Sequence, residues 1–375
     1  MKLLRWEQVN GWRLLQHCLS QRLNCQDFVK AVTQIGGIQA QVMSAAELGL
    51  WARTDGLVVQ DVKSALWQDR TLVKTWAMRC TLYLLAASDF PLYVAARSTY
   101  QARNWEYYFS YYGIAPVEYE AFLAAVPHVL GSMPMTREQL ATAVADEIGV
   151  PKLRTLITSA GWGSPLKPSA LKGDLCFGPS QGQNVTFVNP RKWIKNWESV
   201  EPYAALQEVA RRYLRAYGPA TPENFAIWWG LQTVPARKLF QSLESELEEV
   251  DVEGWHAVAL RTTLEAMQNL TVSDEVRLLP LFDGYTFGCG RDSEVHLSRT
   301  YKNLVFRPQG WISAVVLVNG GVSGVWEYRM QRGQMAVKVR MFSAPASALK
   351  WSIEEEAERL GGFLETRVVV EFEDL

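Results

Sequence analysis

The stretch TLVKTWAMRCTLYLL, residues 71–85, decides how this chain is read. β-Branched and aromatic residues flank Met78-Arg79, so the stretch predicts a β-hairpin. Working back from it, residues 11–15 (GWRLL) and 28–32 (FVKAV) carry apolar residues at helical spacing. Gly36-Gly37 breaks that spacing, and residues 42–51 restore it. Helices followed by a hairpin are the parts of a winged helix, the hairpin being the wing. Residues 1–112 are therefore expected to form a first winged-helix unit.

The same order recurs downstream. Within residues 113–198, residues 119–130 predict a helix, and Thr136 with Gln139 predicts a capping box at the start of another. A third helix near residues 153–160 precedes two β-like runs, 174–177 and 184–188, joined by a Gly-Pro-rich turn. Within residues 199–275, an amphipathic helix over 203–217 closes at Gly218-Pro219, and Thr221-Pro222 opens the next. A further helix over 236–247 and an alternating strand at 249–252 complete that unit. From Val276 the pattern changes to β-branched runs punctuated by Asn319-Gly320 and Arg332-Gly333, then a helix over 352–360 and a last strand over 366–372. Residues 276–375 are expected to be a small antiparallel β-barrel-like domain with one helix. The predicted fold class is α+β: tandem winged-helix units followed by that domain.

A chain of 375 residues exceeds what one core usually serves, so two to four units are expected. Its formal net charge of −1 means that any nucleic-acid surface must come from local segregation of charge. Segregation is present. Residues 152–197 hold seven Lys and Arg against Asp174 alone, and residues 328–350 hold five cations and no acid. Residues 244–253 are crowded with Glu and Asp instead. The five cysteines are scattered without a CxxC pair, which argues against a disulfide framework or a zinc site and for a reducing compartment. Charge interrupts the N-terminus before a signal-peptide core, and no uncharged stretch reaches membrane length. The expected location is cytoplasmic, with the nucleoid.

The four histidines lie far apart with no HxH or HxxxH spacing, which argues against a metal hydrolase. There is no GxxxxGK[ST] loop and no GxSxG elbow, and Gly288-Cys289-Gly290 lacks the third glycine of a dinucleotide fingerprint. No cofactor and no metal are expected. What remains is residues 35–41, IGGIQAQ. In an extended segment residues i and i+2 face the same way, so Gln39 and Gln41 could point into one cleft. In a helix they would diverge by about 200°. The preceding glycines favour an extended or helix-entry conformation. Alone, a Gln-X-Gln pair reads equally well as polar residues at a helix start.

Residues 38–41 (IQAQ), 45–53 (AAELGLWAR), 74–79 (KTWAMR), 218–221 (GPAT) and 278–283 (LLPLFD), in that order, resemble the winged-helix DNA glycosylases of the AlkZ type. These are bacterial enzymes that release alkylated purines and unhook interstrand crosslinks. The resemblance implies three tandem winged helices and a β-barrel around a DNA-sized channel, and a monomer acting on double-stranded DNA with alkylated bases. It also implies Gln39 and Gln41 as the catalytic pair. Asp283 is a second catalytic candidate, as base or cation stabiliser, although Asp-Gly also reads as a turn. Arg53, Lys74 and Arg79 are candidate phosphate contacts beside the scissile nucleotide, and Lys167, Lys172, Arg191 and Lys192 on the basic stretch are others. Arg53 alternatively reads as a cation at a helix C-terminus. Cys80 stands where Gly is expected in this family, and Tyr83 where His is expected. Amides have no useful pKa, so the chemistry implied is hydrolysis of an already cationic purine, without lyase activity. The rival reading is a non-enzymatic winged-helix regulator, but the chain has no heptads and carries an extra β domain.

Overall fold

Thr136 Oγ1 accepts from the Gln139 N–H at 3.2 Å, and Gln139 Oε1 accepts from the Thr136 N–H at 2.8 Å. That reciprocal cap opens the helix Arg137–Ile148 where its spacing predicts it. Asn319 and Gly320, at φ 50° and 82°, join strands Val315–Val318 and Gly321–Gln331. Two successive positive φ values are what a two-residue hairpin requires, and Asn-Gly supplies them at low strain.

The computed structural model describes residues 1–100, 104–270, 274–288, 294–331 and 333–375. Cys289, Gly290 and Arg332, named above, lie outside the described residues. Internal contacts divide the chain into two units. The first comprises Met1–Val62, Ala210–Trp228 and Gln232–Leu375, and the second comprises Lys63–Val209 and Trp229–Leu231. Residues 1–112 thus contribute to both. No helix among the described residues is long and apolar enough to cross a membrane.

In the first unit, strand Lys2–Leu4 pairs in parallel with Leu247–Val252, which runs antiparallel to Trp255–Leu260. Val250 and Val252 pack against Trp6, Val9 and Met267, with Trp6 stacked on Trp255 at 5.2 Å. The helix expected over 236–247 lies instead at Thr233–Ser242. Pro235 falls in its first turn, where the missing N–H has no partner to lose.

The same unit holds a five-stranded sheet in the order Val276–Leu279, Val315–Val318, Gly321–Gln331, Gln334–Met341, Arg367–Phe372. The first three pairings are antiparallel and the last is parallel. Where an antiparallel β-barrel-like domain is expected, the described residues form an open sheet with Val276–Leu279 and Arg367–Phe372 at its two edges, and its last pairing is parallel rather than antiparallel. The helix Ser347–Phe363 is the reason. It carries the chain back along the sheet, and a strand entering after such a crossover runs parallel to its neighbour.

In the second unit, Leu72–Trp76 and Leu82–Ala86 form the predicted hairpin, with Trp76 opposite Leu82. Three helices, Pro116–Val129, Arg137–Ile148 and Lys152–Ser159, precede strands Cys176–Gln181 and Asn184–Val188, and Met135–Thr136 adds a third strand beside the latter. Phe109, Phe122, Leu140, Leu153, Ile157 and Phe187 meet in the core of this unit, all fully buried.

Candidate active site

The helix Phe28–Gln34 ends at a reversal made by Gly36 and Gly37, at φ 74° and 104°. Strand Ile38–Gln39 follows, and after a bend at Gln41 and Val42 the chain enters the helix Met43–Trp51. Ala40 is fully buried while Gln39 and Gln41 are each half-buried. Burial thus alternates across Gln39, Ala40 and Gln41, and the chain bends at Gln41.

Three contacts brace the segment from the core of the first unit. The Tyr217 hydroxyl donates to the Ile35 carbonyl at 2.9 Å. Gly49, on the helix Met43–Trp51, faces Ile38 so closely that a Cβ there would lie 3.3 Å from Ile38 Cγ2. Beyond Gly49 lies Arg53, whose Nη1 donates to the Gly49 carbonyl at 2.8 Å and to Asp283 Oδ2 at 2.7 Å. Arg53 Nη2 donates to Asp283 Oδ1 at 2.8 Å, and the Tyr285 N–H donates to the same oxygen at 2.9 Å.

Arg53 and Asp283 have side-chain exposures of 0% and 2%. Burial works against the guanidinium charge, but the Asp283 carboxylate more than offsets it and holds Arg53 above its ordinary value. This placement corrects two expectations. Arg53 has no surface to offer a phosphate, and Asp283, expected as base or cation stabiliser, is the counter-ion of buried Arg53. Beside them, burial and then the charges of Arg53 and Arg13 hold His17 well below its usual value, so its imidazole is neutral. Its Nδ1 lies 3.5 Å from Arg53 Nη2 and accepts from it. No local pattern could have paired residues 230 positions apart; their joint appearance among the family-like segments was the available signal.

The remaining candidates lie in the second unit. Lys74 is half-buried, its ammonium 5.5 Å from the Phe177 ring centre. Arg79 sits at the hairpin tip with φ 55°, and its Nη2 donates to the Tyr83 hydroxyl at 2.5 Å. Tyr83 is buried, so the position expected to hold His serves here to hold Arg79. Cys80 has φ 56°, which explains why Gly suits that position better. Lys167 is half-buried; Lys172, Arg191 and Lys192 are exposed. Arg191 lies over the Trp197 ring at 4.2 Å, and Lys192 Nζ donates to the Leu130 carbonyl at 3.2 Å. Burial pushes the Asp174 carboxyl up, while Arg191 and Lys172 oppose that shift, so the single acid of the stretch sits among its cations.

Two cations of the second basic run are paired with acids. Lys338 lies 2.5 Å from Glu373 and 3.7 Å from Glu371, and Arg329 lies 3.3 Å from Glu327. Among the described residues no cluster of three or more His, Cys, Asp or Glu could hold a metal ion.

Comparison with known proteins gives the site a family: the chain belongs to the AlkZ-like family, described as "DNA glycosylase AlkZ-like", whose profile matches residues 32–363. It is a DNA glycosylase, an enzyme acting on N-glycosyl bonds. Among individual proteins it is similar to the interstrand DNA cross-link repair glycosylase of Streptomyces sahachiroi, with 37% identity over 331 residues, 86% of this chain and 87% of the relative. The solved structure of Streptomyces sahachiroi DNA glycosylase AlkZ matches it with a TM-score of 0.87 and 33% identity, over 100% of both chains. A non-enzymatic regulator is not favoured.

Proposed function

We propose that this glycosylase hydrolyses the N-glycosidic bond of purines made cationic by N7 or N3 alkylation, with Gln39 and Gln41 as its catalytic pair. One observation carries the reading. The two amides stand half-buried on either side of the buried Ala40, between strand Ile38–Gln39 and the helix Met43–Trp51, while Arg53 is already engaged with Asp283 and His17 is a neutral ring. An amide neither gives nor takes a proton near neutral pH, so such a pair suits a leaving group that requires none.

The alkylated base departs with the electrons of the C1′–N bond, which cancels its positive charge. The sugar passes through an oxocarbenium-like state. The amide oxygens face that developing charge and orient a water, as preorganised dipoles do. The water oxygen bonds to C1′, its proton goes to solvent, and an abasic site and a neutral base remain. Interstrand crosslinks joined through N7 fit the same chemistry, and the name of the Streptomyces relative favours them as substrates.

The order of three helices and two strands across Pro116–Val188 supports a winged helix in residues 113–198. Similar units in 1–112 and 199–275, with the open sheet of 276–375, complete the proposed architecture. Lys172, Arg191 and Lys192, being exposed, are the leading phosphate contacts, with Lys74, Arg79 and Lys167 beside them. The enzyme works as a monomer on double-stranded DNA of the nucleoid.

The test is abasic-site formation on duplexes carrying 7-methylguanine. Gln39→Ala and Gln41→Ala are each expected to slow it about 10²–10³-fold, the scale of losing one preorganised dipole. Neutral hypoxanthine or uracil is expected to stay in place. Unchanged rates in both variants remove the proposal.

A further inference from the structure

Arg97 is buried in the second unit, with a relative exposure of 6%, and no carboxylate pairs with it among the described residues. Its Nη1 donates to the Tyr100 hydroxyl, its Nη2 lies 3.9 Å from Cys80 Sγ, and its Nε has no partner. Tyr100 is not a counter-charge: burial, opposed by Arg97, leaves its hydroxyl pushed up to about 12, so it is neutral. Its proton goes instead to the Trp229 carbonyl at 3.3 Å. A buried guanidinium without an anion is a costly arrangement unless something supplies the missing charge.

Arg97 lines a cavity of about 420 Å³, and Lys172 lines the same cavity. That volume lies within the range of small-molecule sites. Ser98, Asn104 and Trp105 also face it, while Glu106 and Glu120 border it near Tyr119, whose hydroxyl they help raise after burial does so. The cavity is thus cationic on the Arg97 side and acidic beside Tyr119. We propose that this cavity is a phosphate subsite, in which Arg97 and Lys172 hold the anion that the protein itself does not provide.

Two sources carry that chemistry: a backbone phosphate of bound DNA, or a free phosphorylated nucleotide. A guanidinium offers paired N–H donors that match two phosphate oxygens, and the ammonium of Lys172 adds a point charge. The DNA version rests on the DNA-binding reading above; the free-phosphate version does not.

The experiment uses the full chain and reads two quantities. The first is the thermal midpoint in inorganic phosphate, or in dGMP, against chloride at equal ionic strength. The second is the slope of log affinity against log salt for an undamaged duplex. The wild type is expected to gain a few degrees in phosphate beyond chloride, and Arg97→Gln to lose that gain. If the source is DNA, Arg97→Gln also lowers the salt slope by about 0.9, one phosphate contact. A phosphate response with an unchanged slope assigns the cavity to a free nucleotide. Should Arg97→Gln fail to fold, Lys172→Gln, at an exposed position, must weaken the phosphate response. No phosphate-specific gain in the wild type, together with an unchanged slope in the variant, overturns the proposal. Because that first measurement contains no DNA, its failure is separable from a failure of the glycosylase reading, which abasic-site formation decides.

Discussion

Arg53 and Asp283, 230 residues apart in sequence, meet through two hydrogen bonds of 2.7 and 2.8 Å inside the first unit. Removing one partner leaves the other as an uncompensated buried charge, which costs about 3–5 kcal/mol. Asp283→Ala is therefore expected to lower the urea unfolding free energy by that amount. The double variant Arg53→Met, Asp283→Ala removes both charges and should recover most of it. Additive losses in a double-mutant cycle exclude the pairing.

Gly49 faces Ile38 one residue before Gln39, and a Cβ there lies 3.3 Å from Ile38 Cγ2. Replacing glycine by alanine in a helix gains about 1 kcal/mol of propensity. The same methyl displaces the strand carrying Gln39, and a misplacement approaching 1 Å can cost about 10²-fold in rate. Gly49→Ala should keep its stability within about 1 kcal/mol of wild type while excising 7-methylguanine more slowly. Equal rates would show that the amide pair does not depend on this contact.

Stability should fall with acid before the carboxylates titrate. Burial, then Arg13, lowers His296 to about 3, and its Nε2 accepts from Arg13 Nη1 at 2.6 Å; His17 is lowered likewise. An unfolded histidine takes a proton near pH 6.5, and the folded ones refuse it until much lower pH. The stability they contribute is complete above that value and is lost as pH falls through it. The slope is about 1.4 kcal/mol per pH unit for each histidine. Urea unfolding between pH 7.5 and 5.5 measures it, and His296→Gln should flatten the curve.

Cys80 holds φ 56° at the tip of the hairpin between Leu72–Trp76 and Leu82–Ala86. A left-handed non-glycine residue costs about 1–2 kcal/mol, partly offset by the greater chain entropy of glycine. Cys80→Gly should stabilise the protein by up to about 1 kcal/mol, and Cys80→Val should destabilise it. A lower urea midpoint for the glycine variant would contradict the strain.

What could be read in the sequence was whatever a few neighbouring residues decide. Thr136 and Gln139 are three apart and cap a helix by themselves. Asn319-Gly320 turns a hairpin, and Gly36-Gly37 ends the helix Phe28–Gln34 ahead of strand Ile38–Gln39. The Arg53–Asp283 pair was not legible, because each residue has an adequate local reading, a helix-end cation and an Asp-Gly turn. Only packing across the unit brings them together. The parallel last strand was out of reach for a related reason: the helix over 352–360 is legible, but the direction in which it returns the chain to the sheet is set by packing. Arg97 drew no notice, since a lone arginine says nothing about whether an acid will meet it.

The union of Arg53 with Asp283 also sets a clock on synthesis. At about 5–20 residues per second, the ribosome takes on the order of 10–50 s to travel from one to the other. Throughout that interval the nascent N-terminal region holds a guanidinium destined for the interior with no carboxylate to receive it. A ribosome stalled before the Asp283 codon leaves Arg53 without its counter-ion, so the buried ion pair forms only after most of the chain has been made.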